Sequence, residues 1–474
     1  MLRGMWHDRW RGPGGGRELL ALAWPLIVSN SFWTLQIALD RILLSRHSAA
    51  EVAAAMPAAM LFWTPFNFVF HTAAYATTFV AQYTGAARPE RVGPAVWQAI
   101  WFAVIAGLAI LILVPNAERI VAWGDHEPEL QALEVIYFRC MCFTALPTAL
   151  SAAACSFYTG RGDSRKALIV NAVGLTVTGV VGYAWTYGAW GFPEWGIAGV
   201  GWATVAGTWS SALTALGLFL RPKFRREFAT LTGMRFEPDL FARLLRYGVP
   251  NGLFAFLDAL VFTLFILIVG RYGTAALAAT NIAFTINIFA ILPPMGIGQA
   301  VEVLVGQRLG ENRPELAERS TWTGLMFSAM IMATLAASFV LVPHLWIGPF
   351  ANVHDENWPA IAPMVPVLLG FVAAYCLFDS VNLTFSFALR GAGDTRFVTA
   401  VAVGLSFAIM VVPTWLSVQW NWGLFWAWGF ASAYVIALAT TFFLRFRHGA
   451  WKSMRVIEPP TNGALDPRPT EAAV

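Results

Sequence analysis

Charge is what this chain holds least of. Asp, Glu, Lys and Arg make up only 12 % of its 474 residues, about half the share usual in water-soluble domains. With 58 % hydrophobic residues and a mean hydropathy of +0.60, the chain belongs in a bilayer. Cysteine is equally scarce. Cys140, Cys142, Cys155 and Cys376 all lie in apolar runs, and the Cys140-x-Cys142 spacing turns two of them onto different helix faces. A disulfide framework or a metal cluster is therefore not expected. There is no His-Glu-x-x-His, no strand-to-helix phosphate loop and no nucleophile with its base, so neither an enzyme nor a cofactor is expected. Nucleic-acid motifs are missing too, and no such partner is expected. The first 17 residues, MLRGMWHDRWRGPGGGR, contain no apolar core. A cleaved secretory signal is thus not expected, and the first apolar run is read as retained.

Long hydrophobic runs are what the chain has in abundance. Twelve stretches of about 20 residues, the length that crosses a hydrocarbon core, centre near residues 32, 67, 105, 145, 178, 208, 257, 292, 332, 375, 407 and 433. Six fall in each half, and the halves are copies. Residues 25–90 lie over 250–315 at a constant offset of 225, with Pro25 on Pro250, Arg46 on Arg271, and VAQYTGAARPE (80–90) on VGQRLGENRPE (305–315). GRGDSR (160–165) matches GAGDTR (391–396) at an offset of 231, and Asp163 and Asp394 are expected to pair with nearby arginines and brace helix ends. Two copies running the same way, each with an even number of spans, imply an axis along the membrane normal.

The fold class is thus an all-α membrane protein, with twelve transmembrane helices in two homologous six-helix lobes. An arm over 1–17 leads into a first lobe over 18–220, a polar linker over 221–238, a second lobe over 239–447 and a tail over 448–474. Residues after about 456 read as disordered. Of the 31 Lys and Arg, 26 fall on the side shared by both termini. The positive-inside rule makes that side cytoplasmic and the location a plasma (inner) membrane. Loops such as WGDHEPE (123–129) and NVHDENW (352–358) then face outward. Many of the 22 Trp cluster near the outer ends of spans five, six, eleven and twelve, as interfacial anchors do.

Ionisable residues within the spans are few: Asp40, Arg139, Asp258, Glu302 and Asp379, with His71. A charge at membrane depth costs ~3 kcal/mol or more, so each is expected to face a cavity or a partner. In span ten, Tyr375, Asp379, Asn382 and Ser386 form one polar stripe; in span seven, Asn251, Phe254, Asp258, Phe262 and Phe265 frame a carboxylate with aromatic rings. In the first half, Ser29, Trp33, Gln36 and Asp40 share a face of span one, and Thr64, Asn67, His71, Tyr75 and Thr78 a face of span two. A wet pocket in each half is one reading, helix-to-helix fastening the other. Glu302 and Arg139 fit fastening as well as function.

The Asp40-after-Pro25 pattern, VAQYTGAARPERV, VGQRLGENRPELA and FALRGAGDTR, in this order and duplicated, resemble the multidrug and toxic compound extrusion (MATE) family over about residues 18–447. That resemblance implies a secondary active antiporter that exports small organic cations in exchange for Na⁺ or H⁺ by alternating access of two lobes. It assigns Asp258, Asp379 and Asp40 to cation coupling, with Na⁺ at Asp258 and Asp379. The second carboxylate that one branch carries in span five is replaced here by Gly182 or Thr178, which argues against a sodium site in the first lobe. Asn251, Phe254, Phe262, Phe265, Tyr375, Asn382, Ser386, Gln36 and His71 are the expected substrate cavity, their rings suited to flat cations. Membrane lipids and small organic cations are the expected partners, and the chain is expected to be monomeric. A lipid-linked oligosaccharide flippase of the same superfamily and a non-transporting sensor are the alternatives.

Overall fold

The structure is a computed structural model that describes residues 10–351 and 358–459. Twelve long helices carry it, and among the described residues there is no strand. We number them α1 (Gly16–Ser45), α2 (Ala49–Ala74, resuming as Ala76–Gly85), α3 (Val92–Ile110), α4 (Pro128–Gly160), α5 (Arg165–Tyr187) and α6 (Ile197–Phe219). The second half holds α7 (Pro238–Val269), α8 (Thr274–Gly310), α9 (Pro314–Leu341), α10 (Met364–Ala392), α11 (Thr395–Leu405, continuing to Gln419) and α12 (Leu424–His448). Eleven of these are long and apolar enough to cross a membrane. The exception, α6, is equally long but diluted by Gly, Ser and Thr.

Local sequence explains the helix ends and the one irregularity that matters. Pro128, Pro238 and Pro314 occupy first-turn positions, where a missing N–H costs nothing. In α11 the helix widens to a π turn over Ser406–Val411, just ahead of Pro413. Proline has no N–H to donate and crowds the carbonyl one turn back, and a widened turn relieves both. The 37-residue α8 runs roughly 55 Å at 1.5 Å per residue, so its ends stand clear of a ~30 Å hydrocarbon core.

The internal repeat appears as reciprocal contact. Gln82 on α2 donates to the Gly391 carbonyl at 3.1 Å, and its counterpart Gln307 on α8 donates to the Gly160 carbonyl at 2.8 Å. Gly85 and Gly310 face each other's helices so closely that a Cβ on either would overlap the backbone carbonyl of Gln307 or Gln82 respectively. Each half thus does to the other what is done to it, as a pseudo-two-fold axis requires. Further crossings, Asn30–Gln299 at 3.2 Å and the Asn251 amide to the His71 carbonyl at 3.0 Å, mark the deepest point of the seam. Beyond them, toward the face opposite the termini, no side-chain hydrogen bond joins the halves among the described residues. The side-chain hydrogen bonds that close the halves on one another thus lie on the terminal side.

Both polar connectors pack rather than dangle. The linker lies on α3, where Trp97, Gln98 and Trp101 donate to the carbonyls of Thr230, Arg235 and Met234. The tail packs likewise as far as residue 459, where Trp451 and Val456 are each 1 % exposed, while the rest of the stretch expected to be disordered lies outside the described residues. Glu458 accepts from Tyr83 at 2.6 Å and Arg88 at 2.7 Å, and also pairs with Arg91 and Arg243. Burial alone would raise its carboxyl; the Tyr83 hydroxyl, a backbone N–H, Arg243 and Arg88 outweigh that and hold it at about 2. Asp394 does brace a helix end, through Arg445 at 2.7 Å. Asp163 does not do so through Arg161, whose guanidinium instead sits among Phe157, Phe224 and Phe228, 4.0 Å from the last ring.

Candidate ion-coupling site

Asp258 lies two turns beyond Pro250 on α7, and its side chain is exposed. It borders a cavity of about 10 Å³ inside the second half, shared with Phe254, Val261, Ser406 and Tyr434. That volume is at the threshold for one water, so it suits an ion or a proton and not an organic molecule, whose pockets run to several hundred Å³. Ser406, where the π turn begins, supplies a hydroxyl to the lining.

Asp379 on α10 is 7 % exposed and accepts a 3.1 Å hydrogen bond from the Asn382 amide one turn on. The two carboxylates are close enough to feel each other's charge, and the Tyr434 hydroxyl lies in the field of both. Asp258 and Ser406 line the cavity, whereas Asp379 and Asn382 stand outside its lining. Among the described residues no three His, Cys, Asp or Glu converge as a transition-metal site would need.

The stripe that carries Asp379 runs one turn further than Ser386, to a residue outside the expected substrate cavity. Arg390 is 7 % exposed, inside α10. Its Nη1 donates to Asn251 Oδ1 at 3.2 Å, its Nε to the Ser386 carbonyl at 3.4 Å, and its guanidinium lies 4.1 Å from the Phe387 ring centre and 5.3 Å from that of Phe254. Glu302 and Asp258 are its nearest negative fields, yet no carboxylate comes within 4 Å of it among the described residues. Glu302 instead accepts from Thr78 across the seam at 3.0 Å. The four-residue step from Ser386 to Arg390 was the available signal; its place beside a Gly-rich turn disguised it.

The remaining expected residues divide. Asp40 is 9 % exposed, and both its oxygens are engaged, one by Gln36 at 2.9 Å and the other by Tyr137 at 3.4 Å. His71 is half-buried and meets Asn251 only through its main-chain carbonyl. Phe262 is 40 % exposed and packs edge-on against Phe284. Phe265 and Tyr375 are closed in the core of the second half, at 0 % and 5 %, so neither offers a ring face to a ligand. Ser386 is buried and bonded to its own helix. Arg139 has a partner: it is half-buried and pairs with the exposed Glu118 at 2.9 Å.

A duplicated bundle of membrane-crossing helices, closed at one face and carrying carboxylates within its depth, is the architecture of a secondary transporter. The MatE family model matches residues 25–185 and again 250–416, once in each half, and the chain belongs to that family of multidrug and toxic compound extrusion transporters. A probable multidrug resistance protein NorM from Mesorhizobium japonicum is 29 % identical over 384 residues, covering 80 % of this chain and 82 % of the relative. Among solved structures, an outward-facing multidrug resistance MATE transporter of the MOP superfamily superposes with a TM-score of 0.82 at 18 % identity, over 92 % of this chain and 96 % of its own. A MOP superfamily transporter from Pyrococcus furiosus, described as having a binding pocket of reverse polarity, gives 0.81 at 19 % identity with the same coverage. At such identities the structures share the fold.

Proposed function

We propose that this transporter is an antiporter of the inner membrane, with both termini cytoplasmic, that exports small organic cations in exchange for Na⁺ or H⁺. The observation that carries the reading is the pairing of Asp258, exposed beside an ion-sized cavity, with the buried Asp379 in one electrostatic neighbourhood. A carboxylate in a low-dielectric setting is unstable as a bare anion and takes up a positive occupant. Na⁺ would be held by the oxygens of Asp258 and Asp379; a proton would sit on either carboxylate. The substrate binds outside the cavity at Asp258, which is too small for it. Neutralising the carboxylates removes their pull on the cationic substrate, so ion entry from outside favours release there. With the ion gone, the halves part on the terminal side and the substrate binds again.

The test is dye efflux by everted vesicles under separately imposed sodium and proton gradients. Wild-type protein responds to one of them, and Asp258→Asn and Asp379→Asn abolish the response at normal expression. Undiminished efflux by both variants rejects the assignment. Arg390 lends support to a second reading, a flippase for an anionic lipid-linked substrate, since one buried cation does face the seam. Transport that responds to neither gradient selects that reading.

A further inference from the structure

Four arginines from two separate stretches of chain converge on one groove at the terminal face. Arg11 and Arg17 come from the arm and first turn of α1, Arg308 from the last turn of α8, and Arg313 from the turn before α9; Glu18 is the single carboxylate among the lining residues. The groove has a volume of about 480 Å³, a size that accepts a phosphate ester with its glycerol or sugar.

Its electrostatics are lopsided. Arg308 is 13 % exposed and spends its charge on Glu18 and Glu311, forming a fixed floor, while its Nε, buried, finds no acceptor. Arg11, Arg17 and Arg313 have no carboxylate partner among the described residues. Ordinary arginines at helix ends point into water singly; here the arm is folded across to bring them together. Thr323 on α9 donates to the Gly14 carbonyl at 3.1 Å, the Gly14 N–H donates to Glu18 at 2.8 Å, and Trp10 sits edge-on against Phe327 of α9. The groove therefore spans the junction of the two halves, with Ala21 on its floor and the half-exposed Trp10 on its flank. A cationic cradle flanked by an interfacial Trp, at the end of membrane-crossing helices, has the chemistry of a lipid site.

We propose that this groove binds the phosphodiester headgroup of an anionic phospholipid, which bridges Arg11 and Arg17 of the first half to Arg313 of the second. A lipid bound there ties the halves together on the face where they are already closed.

The test is thermal unfolding of the delipidated, detergent-solubilised full chain, titrated with short-chain phosphatidylglycerol, with phosphatidylcholine, and with inorganic phosphate. Phosphatidylglycerol raises the midpoint, and the other two leave it within error. The Arg17→Gln/Arg313→Gln variant loses at least three-quarters of that shift, whereas Lys223→Gln/Arg225→Gln, which removes two charges from the linker, keeps it. Equal shifts with phosphatidylcholine, an equal shift in the groove variant, or full reproduction by inorganic phosphate each overturn the proposal. Should the groove variant not fold, a photoactivatable phosphatidylglycerol on the wild-type protein decides: adducts concentrate within residues 10–21 and 305–316, and adducts spread along the lipid-facing helices contradict it.

Discussion

The two halves are copies in backbone but opposites in chemistry at matching positions. At the offset of 225, Asp40 of α1 corresponds to Phe265 of α7, and Trp33 of α1 corresponds to Asp258 of α7. The first pair is buried in both halves, at 9 % and 0 %; the second is exposed in both. Each half therefore places one carboxylate and one ring on the same two sites, in reversed order. The first half closes its carboxylate with Gln36 and Tyr137, and the second opens its own beside an ion-sized cavity. A similar swap sets Glu302 where the first half has Thr77. Duplication fixes where a side chain points, and substitution afterwards decides which half carries charge at the seam.

That contrast can be broken most directly at its carboxylates. Asp258→Asn and Asp379→Asn are expected to lower gradient-driven efflux by at least tenfold, while Asp40→Asn, whose amide keeps a hydrogen-bonding group between Gln36 and Tyr137, stays within about threefold of wild type. Initial rates in everted vesicles, normalised to protein, read the difference. A second break concerns the reciprocal glycines. Gly85→Ala or Gly310→Ala forces a methyl into a backbone carbonyl at the closed face, with an overpacking cost of about 1–3 kcal/mol. Both are expected to destabilise the closed arrangement, read as a lower unfolding midpoint and faster proteolysis at the terminal side; unchanged behaviour of both would show that the seam yields freely.

Smaller effects sharpen the account. Glu302→Gln keeps an acceptor for Thr78 but removes a neighbouring negative field from Arg390. Efflux is expected to fall several-fold, with Thr77→Ser, its counterpart, close to neutral. Glu458 offers the mildest test, because it lies in the tail. Its carboxyl is depressed from its usual 4.5 to about 2, so its contribution to stability is complete above the ordinary carboxylate range and is lost as pH falls toward 2. Glu458→Gln is expected to cost about 1–3 kcal/mol at neutral pH, since it leaves several partly buried arginines without their shared anion. The difference from wild type shrinks on acidification. A constant difference between pH 6 and pH 3 would contradict that sign.

Much of the architecture was legible in the sequence because it rests on periodicity and repetition. Apolar runs of membrane-crossing length, the 225-residue offset and the paired motifs name twelve helices in two halves, and the Gln82/Gln307 contacts are that repeat made physical. Side-chain environment was less legible. Helical spacing placed Asp258, Phe262 and Phe265 on one stripe, yet a stripe about 100° wide spans both an exposed edge and a sealed core, and Phe265 fell in the core. Flanking composition does not fix where an arginine's charge ends up. Arg139, within an apolar run, reaches out to Glu118, and Arg390, beside a Gly-rich turn, is buried. Long side chains can place their charge a turn or more from their Cα, which one-dimensional hydropathy does not resolve.

Ion release on substrate binding tests the central claim most directly. When a saturating organic cation is added to purified, ion-loaded protein in weakly buffered detergent solution, a sodium electrode or a pH indicator should record release of Na⁺ or H⁺ in proportion to protein. Wild type and Asp40→Asn are expected to release the ion, and Asp258→Asn and Asp379→Asn to release none. Release that persists in both second-half variants and disappears in Asp40→Asn would place the coupling carboxylate in the first half and contradict the account.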